Sequence, residues 1–153
     1  MRRVLIVFYL LILSNTKVHA QQVGVDPNME TYQAALEQYK SGSYAMSYNA
    51  FVYLDELLED KNSLLAISTD YYKALSAKQL YNNDAEFLLK RFMDEYPNSS
   101  LYFDVSSNLA DFYFSKRAYE SALLYYDAIP LLKLHKKHRS KYSFQYAYSL
   151  FST

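Results

Sequence analysis

One pattern occurs three times along this chain, and it constrains the fold more than any other feature. Residues 109–129 read LADFYFSKRAYESALLYYDAI. Leu109, Ala110 and Tyr113 fall at helical spacing, and so do Tyr119, Ala122 and Tyr126. An earlier copy holds Ala85, Leu89, Phe92 and a closing Tyr96-Pro97. The first copy has Ala35, the turn Gly42-Ser43-Tyr44, then Ser47 and Phe51. A small residue opens each second helix at Ser47, Ala85 and Ala122, 38 and 37 residues apart. Self-similarity at a period of 20–50 residues marks repeat architectures, in which each unit is too small to bury its own apolar face and must stack on its neighbours.

The pattern predicts seven helices and no strand, because the aromatic residues recur at helical spacing and not in alternation. Asp26 caps the first helix with Pro27 at its first position, and Gly42 ends it. The second runs from Tyr44 to Glu59 with Phe51, Leu54, Leu57 and Leu58 as its apolar stripe. A third spans Leu64 to Tyr81. Asn83 with Glu86 forms a capping-box pattern for the fourth, which ends at Tyr96-Pro97. Ser99 or Ser100 caps the fifth, which reaches Lys116. The sixth covers Tyr119 to Leu132, with Pro130 expected to end or kink it. The seventh covers Ser140 to Phe151. The expected fold is all-α: a right-handed α-solenoid of antiparallel helix pairs, about three and a half repeats long. Its boundaries fall near 28–62, 64–98, 101–136 and, for the partial repeat, 138–153.

The N-terminus reads differently. Arg2 and Arg3 precede ten apolar residues, Val4 to Leu13, and Val18-His19-Ala20 is a small-x-small cleavage pattern. These three regions together predict a secretory signal peptide over residues 1–20, cleaved after Ala20. Ten apolar residues are too few for a permanent span, which needs about 20. Without the leader, 13 basic and 16 acidic residues remain. A net charge near −3 gives no reason to expect nucleic acid as a partner. The chain has no cysteine. That removes disulfides, cysteine zinc sites and the lipid attachment of a bacterial lipoprotein from consideration. The expectation is an exported periplasmic protein with no membrane anchor in this chain.

The segments AEFLLKRFMDEYPNSS (85–100) and LADFYFSKRAYESALLYYDAI (109–129) resemble tetratricopeptide repeats. More narrowly, they are similar to the repeats of BamD-like and TolA-binding periplasmic proteins, where a Phe-x-x-x-Tyr-Pro-x-Ser ending is typical. The resemblance implies that the first helix of each pair lines a concave groove that binds protein segments. Carried onto this sequence, the groove positions are Tyr32, Gln33, Tyr39, Asp70, Tyr71, Lys78, Asn108, Asp111, Phe114, Tyr142 and Tyr146. This set is aromatic and polar. It lacks the row of lysines with which family members clamp an acidic C-terminus, so a chaperone-tail receptor is not expected. The partner expected is a protein or peptide, in the context of an outer-membrane or envelope complex.

Chemistry finds little support. His135 and His138 in LKLHKKHRSK have no carboxylate at ligand spacing, and they read as a solvated turn. Asp55, Glu56, Glu59 and Asp60 read as the wet face of the second helix. Asn98-Ser99-Ser100 fits a glycosylation sequon but also a turn leading into a helix. No phosphate loop or nucleophile motif is present. Neither enzymatic activity nor a cofactor or metal is expected. Two functions remain in view: an interaction scaffold of the periplasm, or the N-terminal docking or sensory region of a larger envelope regulator or cell-wall enzyme.

Overall fold

The computed structural model describes residues 26–134 and 136–153. The expected signal peptide and His135 lie outside the described residues. Those described form seven α-helices and no strand: α1 Pro27–Lys40, α2 Tyr44–Leu57, α3 Leu64–Gln79, α4 Ala85–Glu95, α5 Tyr102–Ser115, α6 Tyr119–Asp127 and α7 Lys136–Ser152. A 3-10 turn, Leu131–Lys133, precedes α7. The chain is all-α.

Local sequence explains where the helices begin and end. The Asp26 carboxylate accepts the Asn28 N–H at 3.0 Å, and Pro27 occupies the first turn, where its missing donor costs nothing. Ser63 caps α3 through the Ala66 N–H at 3.1 Å. The turns within the three helix pairs share one design. Gly42, Tyr81 and Arg117 all have positive φ, at 83°, 56° and 59°. Each donates its N–H to the carbonyl three residues back. The next residue bonds five residues back, as Ser43 to Gln38, Asn82 to Ala77 and Ala118 to Tyr113. This is the Schellman arrangement, which satisfies the last carbonyls of a helix by placing one residue in the left-handed region. Sequence flags only the first of them, because tyrosine and arginine do not advertise that conformation.

Several boundaries differ from the sequence reading. Helix α2 stops at Leu57, whose side chain is exposed, while Leu58 is buried. The N-cap of α4 is Asp84, not Asn83, and it makes no side-chain cap. Asp84 instead accepts the Tyr48 hydroxyl at 2.6 Å, and Glu86 accepts that of Tyr113 at 2.6 Å. Glu86, expected in the capping box, and Asp84, at the observed cap position, therefore tie α4 to its neighbours instead. Leu101, not Ser99 or Ser100, precedes α5, and Ser99 accepts the Leu101 N–H at 3.2 Å. Helix α6 ends at Asp127, because Pro130 cannot donate into a continuing helix. Helix α7 starts four residues earlier than Ser140.

Consecutive helices pack on one another throughout, and α1 contacts α3, α3 contacts α5, and α5 contacts α7. The stacking is sequential and repeat-like. The small residues Ser47, Ala85 and Ala122 are fully buried. Their size lets the helices of a pair approach closely. Ser47 adds a hydrogen bond to Ser76 at 3.1 Å, which satisfies both hydroxyls in the interior. Three apolar clusters run along the stack, centred on Phe51 and Leu54, on Leu89, Phe92 and Leu109, and on Ala122 and Tyr126. Tyrosine rings link the first two edge to face, as in Tyr71–Tyr72 at 4.9 Å and Tyr39–Tyr72 at 5.2 Å.

Candidate functional site

The odd-numbered helices α1, α3, α5 and α7 contribute to one open cavity of about 310 Å³. Tyr39 comes from α1. Tyr71, Lys78 and Gln79 come from α3, Asp104, Asn108 and Asp111 from α5, and Lys137, His138 and Lys141 from α7. Of the positions implied by the family resemblance, Tyr39, Tyr71, Lys78, Asn108 and Asp111 meet here.

A polar network joins the cavity walls. The Tyr71 hydroxyl donates to Asp104, which also lies 3.4 Å from the Asn108 amide nitrogen. Lys78 donates to the Asn108 carbonyl oxygen at 2.7 Å and reaches Asp111 at 3.5 Å. Lys141 donates to the same Asp111 carboxylate, whose other oxygen accepts the Tyr126 hydroxyl at 3.2 Å. Asp111 thus draws two cations together across the α3–α5–α7 face. Burial pushes the Lys78 ammonium below its ordinary pKa; Asp111 opposes that effect and the nearby Lys141 adds to it. Burial raises the Tyr71 hydroxyl well above the usual tyrosine value, and Asp104 adds to the rise. The cavity offers phenol hydroxyls, amides and lysine side chains, with two carboxylates already engaged.

The remaining expected positions lie elsewhere. Asp70 is buried between α3 and α4, where Lys73 approaches it at 2.6 Å, Arg91 at 2.9 Å and the Tyr96 hydroxyl at 2.8 Å. It belongs to an ion network with Asp55 and Lys61 beside a separate cavity of about 370 Å³. Tyr142 is also buried, its hydroxyl donating to the Tyr126 carbonyl at 2.9 Å. Tyr146 stacks on Tyr142 at 5.8 Å and donates to Asp127 at 2.8 Å. Phe114 packs edge-on against Tyr119 and Tyr148, both at 5.6 Å. Tyr32 packs between Phe51 and Tyr72. Gln33 is exposed on α1 but does not line the cavity. The expectation that Tyr71, Asn108, Phe114 and Tyr142 share one accessible surface is therefore corrected. One residue along a helix turns the side chain by about 100°, enough to move it from groove to core.

The lysine content of the groove is also corrected. Lys78, Lys137 and Lys141 all line the cavity, where the sequence reading placed Lys78 alone. That reading began α7 at Ser140 and left Lys136–Arg139 in a turn.

The largest of the three cavities, about 610 Å³, lies beside the 97–101 turn. Leu64, Ile67, Pro97 and Leu101 contribute to it, with Glu95 as its one charged side chain, and it lacks the converging polar groups of the groove. Among the described residues there is no cluster of three or more His, Asp or Glu able to hold a metal, and no helix long and apolar enough to cross a membrane. Comparison with protein-family models, with curated proteins and with solved structures found no match to this chain.

Proposed function

We propose that this chain is an exported, periplasmic interaction scaffold that binds protein segments in the groove between its odd-numbered helices. On this reading the helices form a right-handed solenoid of the tetratricopeptide type, resembling BamD-like and TolA-binding proteins. The carrying observation is the convergence of Tyr39, Tyr71, Lys78, Asn108 and Asp111, from three helices, on one open cavity. Rigid tyrosines with amide and ammonium donors suit a peptide, which presents carbonyls and side chains in extended order. Lys137 and Lys141 suit a segment that carries a carboxylate. The test is capture of envelope proteins by the parent and by a Gln79→Ala, Lys141→Ala double variant. Both positions are exposed, so the fold should survive. Loss of the same partners from the variant supports the groove, and equal recovery argues against it.

One observation favours the second reading, an N-terminal docking or sensory region of a larger envelope regulator or cell-wall enzyme. On α5, Ser106 and Ala110 are fully covered, with Phe114 partly so. A shift of 37 residues, the spacing of Ala85 and Ala122, carries these to Ser143, Ala147 and Phe151 on α7, which are exposed. That face matches one that takes an antiparallel helix elsewhere in the stack. A covering helix in a larger assembly would quench exposure of Phe151. Measuring Phe151→Trp fluorescence in the chain and in that assembly discriminates the readings.

A further inference from the structure

The charges of the described chain are divided along its length. Residues 26–127 hold 16 acidic and 8 basic side chains. Residues 128–153 hold five basic ones, Lys133, Lys136, Lys137, Arg139 and Lys141, and no acidic one. Helix dipoles favour acids in a first turn, and α1, α4, α5 and α6 obey with Glu30, Glu86, Asp104 and Glu120. Helix α7 does the reverse. It opens on Lys136 and Lys137 with no acid in its first turn. Lys133, Lys136 and Lys137 form no ion pair among the described residues, unlike Lys141, which is held by Asp111. A cluster of this kind is locally unfavourable unless an anion faces it.

The same tip carries apolar side chains turned outward. Leu132 is 82% exposed and Leu131 is 43% exposed, on the short turn directly before these lysines. This is a built element and not a loose loop. Leu134 and Ile129 anchor it in the core. The Arg139 guanidinium donates to the carbonyls of Leu134 and Leu132, both at 3.1 Å, and fixes the turn against α7. Apolar residues at a tip with a basic collar are what a lipid interface rewards, since leucines enter the headgroup boundary while lysines meet phosphates. An acidic protein surface would match the lysines but gives no reason for two outward leucines.

We infer that the 131–136 tip docks the protein on an anionic bilayer surface, with Leu131 and Leu132 entering the interface and Lys133 and Lys136 contacting lipid phosphates. This contact is peripheral and lies beside the groove, whose wall begins at Lys137, so an envelope partner would be presented next to a membrane.

The test is flotation of the exported form, residues 21–153, with vesicles of equal parts phosphatidylglycerol and phosphatidylcholine, and with phosphatidylcholine alone. Binding should need the anionic lipid and weaken with salt. Lysines near such a surface contribute roughly five-fold each, so Lys133→Gln with Lys136→Gln should weaken binding about 25-fold. Leu131→Ser with Leu132→Ser should also weaken it, without changing helicity. Absence of the parent from anionic vesicles, or equal binding to both vesicle types, overturns the proposal. So does serine-variant binding equal to the parent, with equal capture of both by immobilised polyglutamate, because the tip would then be an electrostatic dock for acidic protein.

Discussion

The hydroxyl of Tyr71 on α3 donates to the carboxylate of Asp104 on α5, fastening two helices of successive pairs along one wall of the groove. Tyr71 is thus a strut as much as a contact surface. Tyr71→Phe keeps the ring on Phe92 but leaves Asp104 without its phenol donor. We expect a loss of about 2 kcal/mol in chemical denaturation, the usual scale for a hydrogen bond to a partly buried charge. A variant as stable as the parent would show that the bond contributes nothing.

Tyrosine ionisation sets the alkaline limit of stability. Burial, reinforced by Asp104 and Asp111 respectively, raises Tyr71 and Tyr126; a hydrogen bond to Asp84, with burial, raises Tyr48 to about 12. Unfolded tyrosines release their protons near pH 10, the ordinary value of the free phenol. A raised folded-state value therefore contributes stability below that pH, and the contribution is lost as pH climbs toward the folded-state values. The melting temperature should fall steeply above about pH 10, with the appearance of tyrosinate absorbance tracking unfolding. Full tyrosinate absorbance in a protein that remains helical would contradict these shifts.

The three turns at Gly42, Tyr81 and Arg117 make a paired prediction. A left-handed conformation costs a residue with a Cβ about 1 kcal/mol, which glycine avoids. Tyr81→Gly and Arg117→Gly should each stabilise by about that amount. Gly42→Ala should destabilise similarly, through conformation alone, because a Cβ there meets nothing within 4 Å. Thermal melts of the three single variants decide it. Destabilisation by both new glycines would mean that the tyrosine and arginine side chains outweigh the strain.

These turns also mark what was legible in the sequence. Seven helices could be read because Pro27, Gly42, Pro97 and the apolar spacing act locally and through familiar residue types. The small residues at Ser47, Ala85 and Ala122, read as opening the second helices, are all buried there. The left-handed turns at Tyr81 and Arg117 were not readable, since tertiary packing imposes them on residues that disfavour them. The groove was partly readable: Tyr39, Tyr71, Lys78, Asn108 and Asp111 meet there. Asp70 and Tyr142 did not follow, because burial on one helix face or the next depends on small rotations that spacing alone leaves open. Lys137 was missed with the start of α7, which lies four residues before Ser140 and opens on lysines where a turn was expected; Lys141 lay inside the expected helix but was not assigned to the groove.

Asp70 offers a test of that distinction. It holds Lys73, which is 4% exposed, together with Arg91 and Tyr96. Asp70→Asn would leave a buried ammonium with Asp55 as its remaining carboxylate, at a cost of about 3 kcal/mol. Its effect should fall on stability, with partner capture by the folded fraction unchanged. Reduced capture at full stability would return Asp70 to the binding surface.

The central claim is that partners enter the groove and not the opposite side. A photo-reactive residue at position 79, on the cavity wall, tests it directly against one at position 46, where Met46 is exposed on α2. Irradiation in intact cells should give discrete cross-linked protein adducts from position 79 and none from position 46. Adducts from position 46 with none from position 79 would contradict the groove as the binding surface.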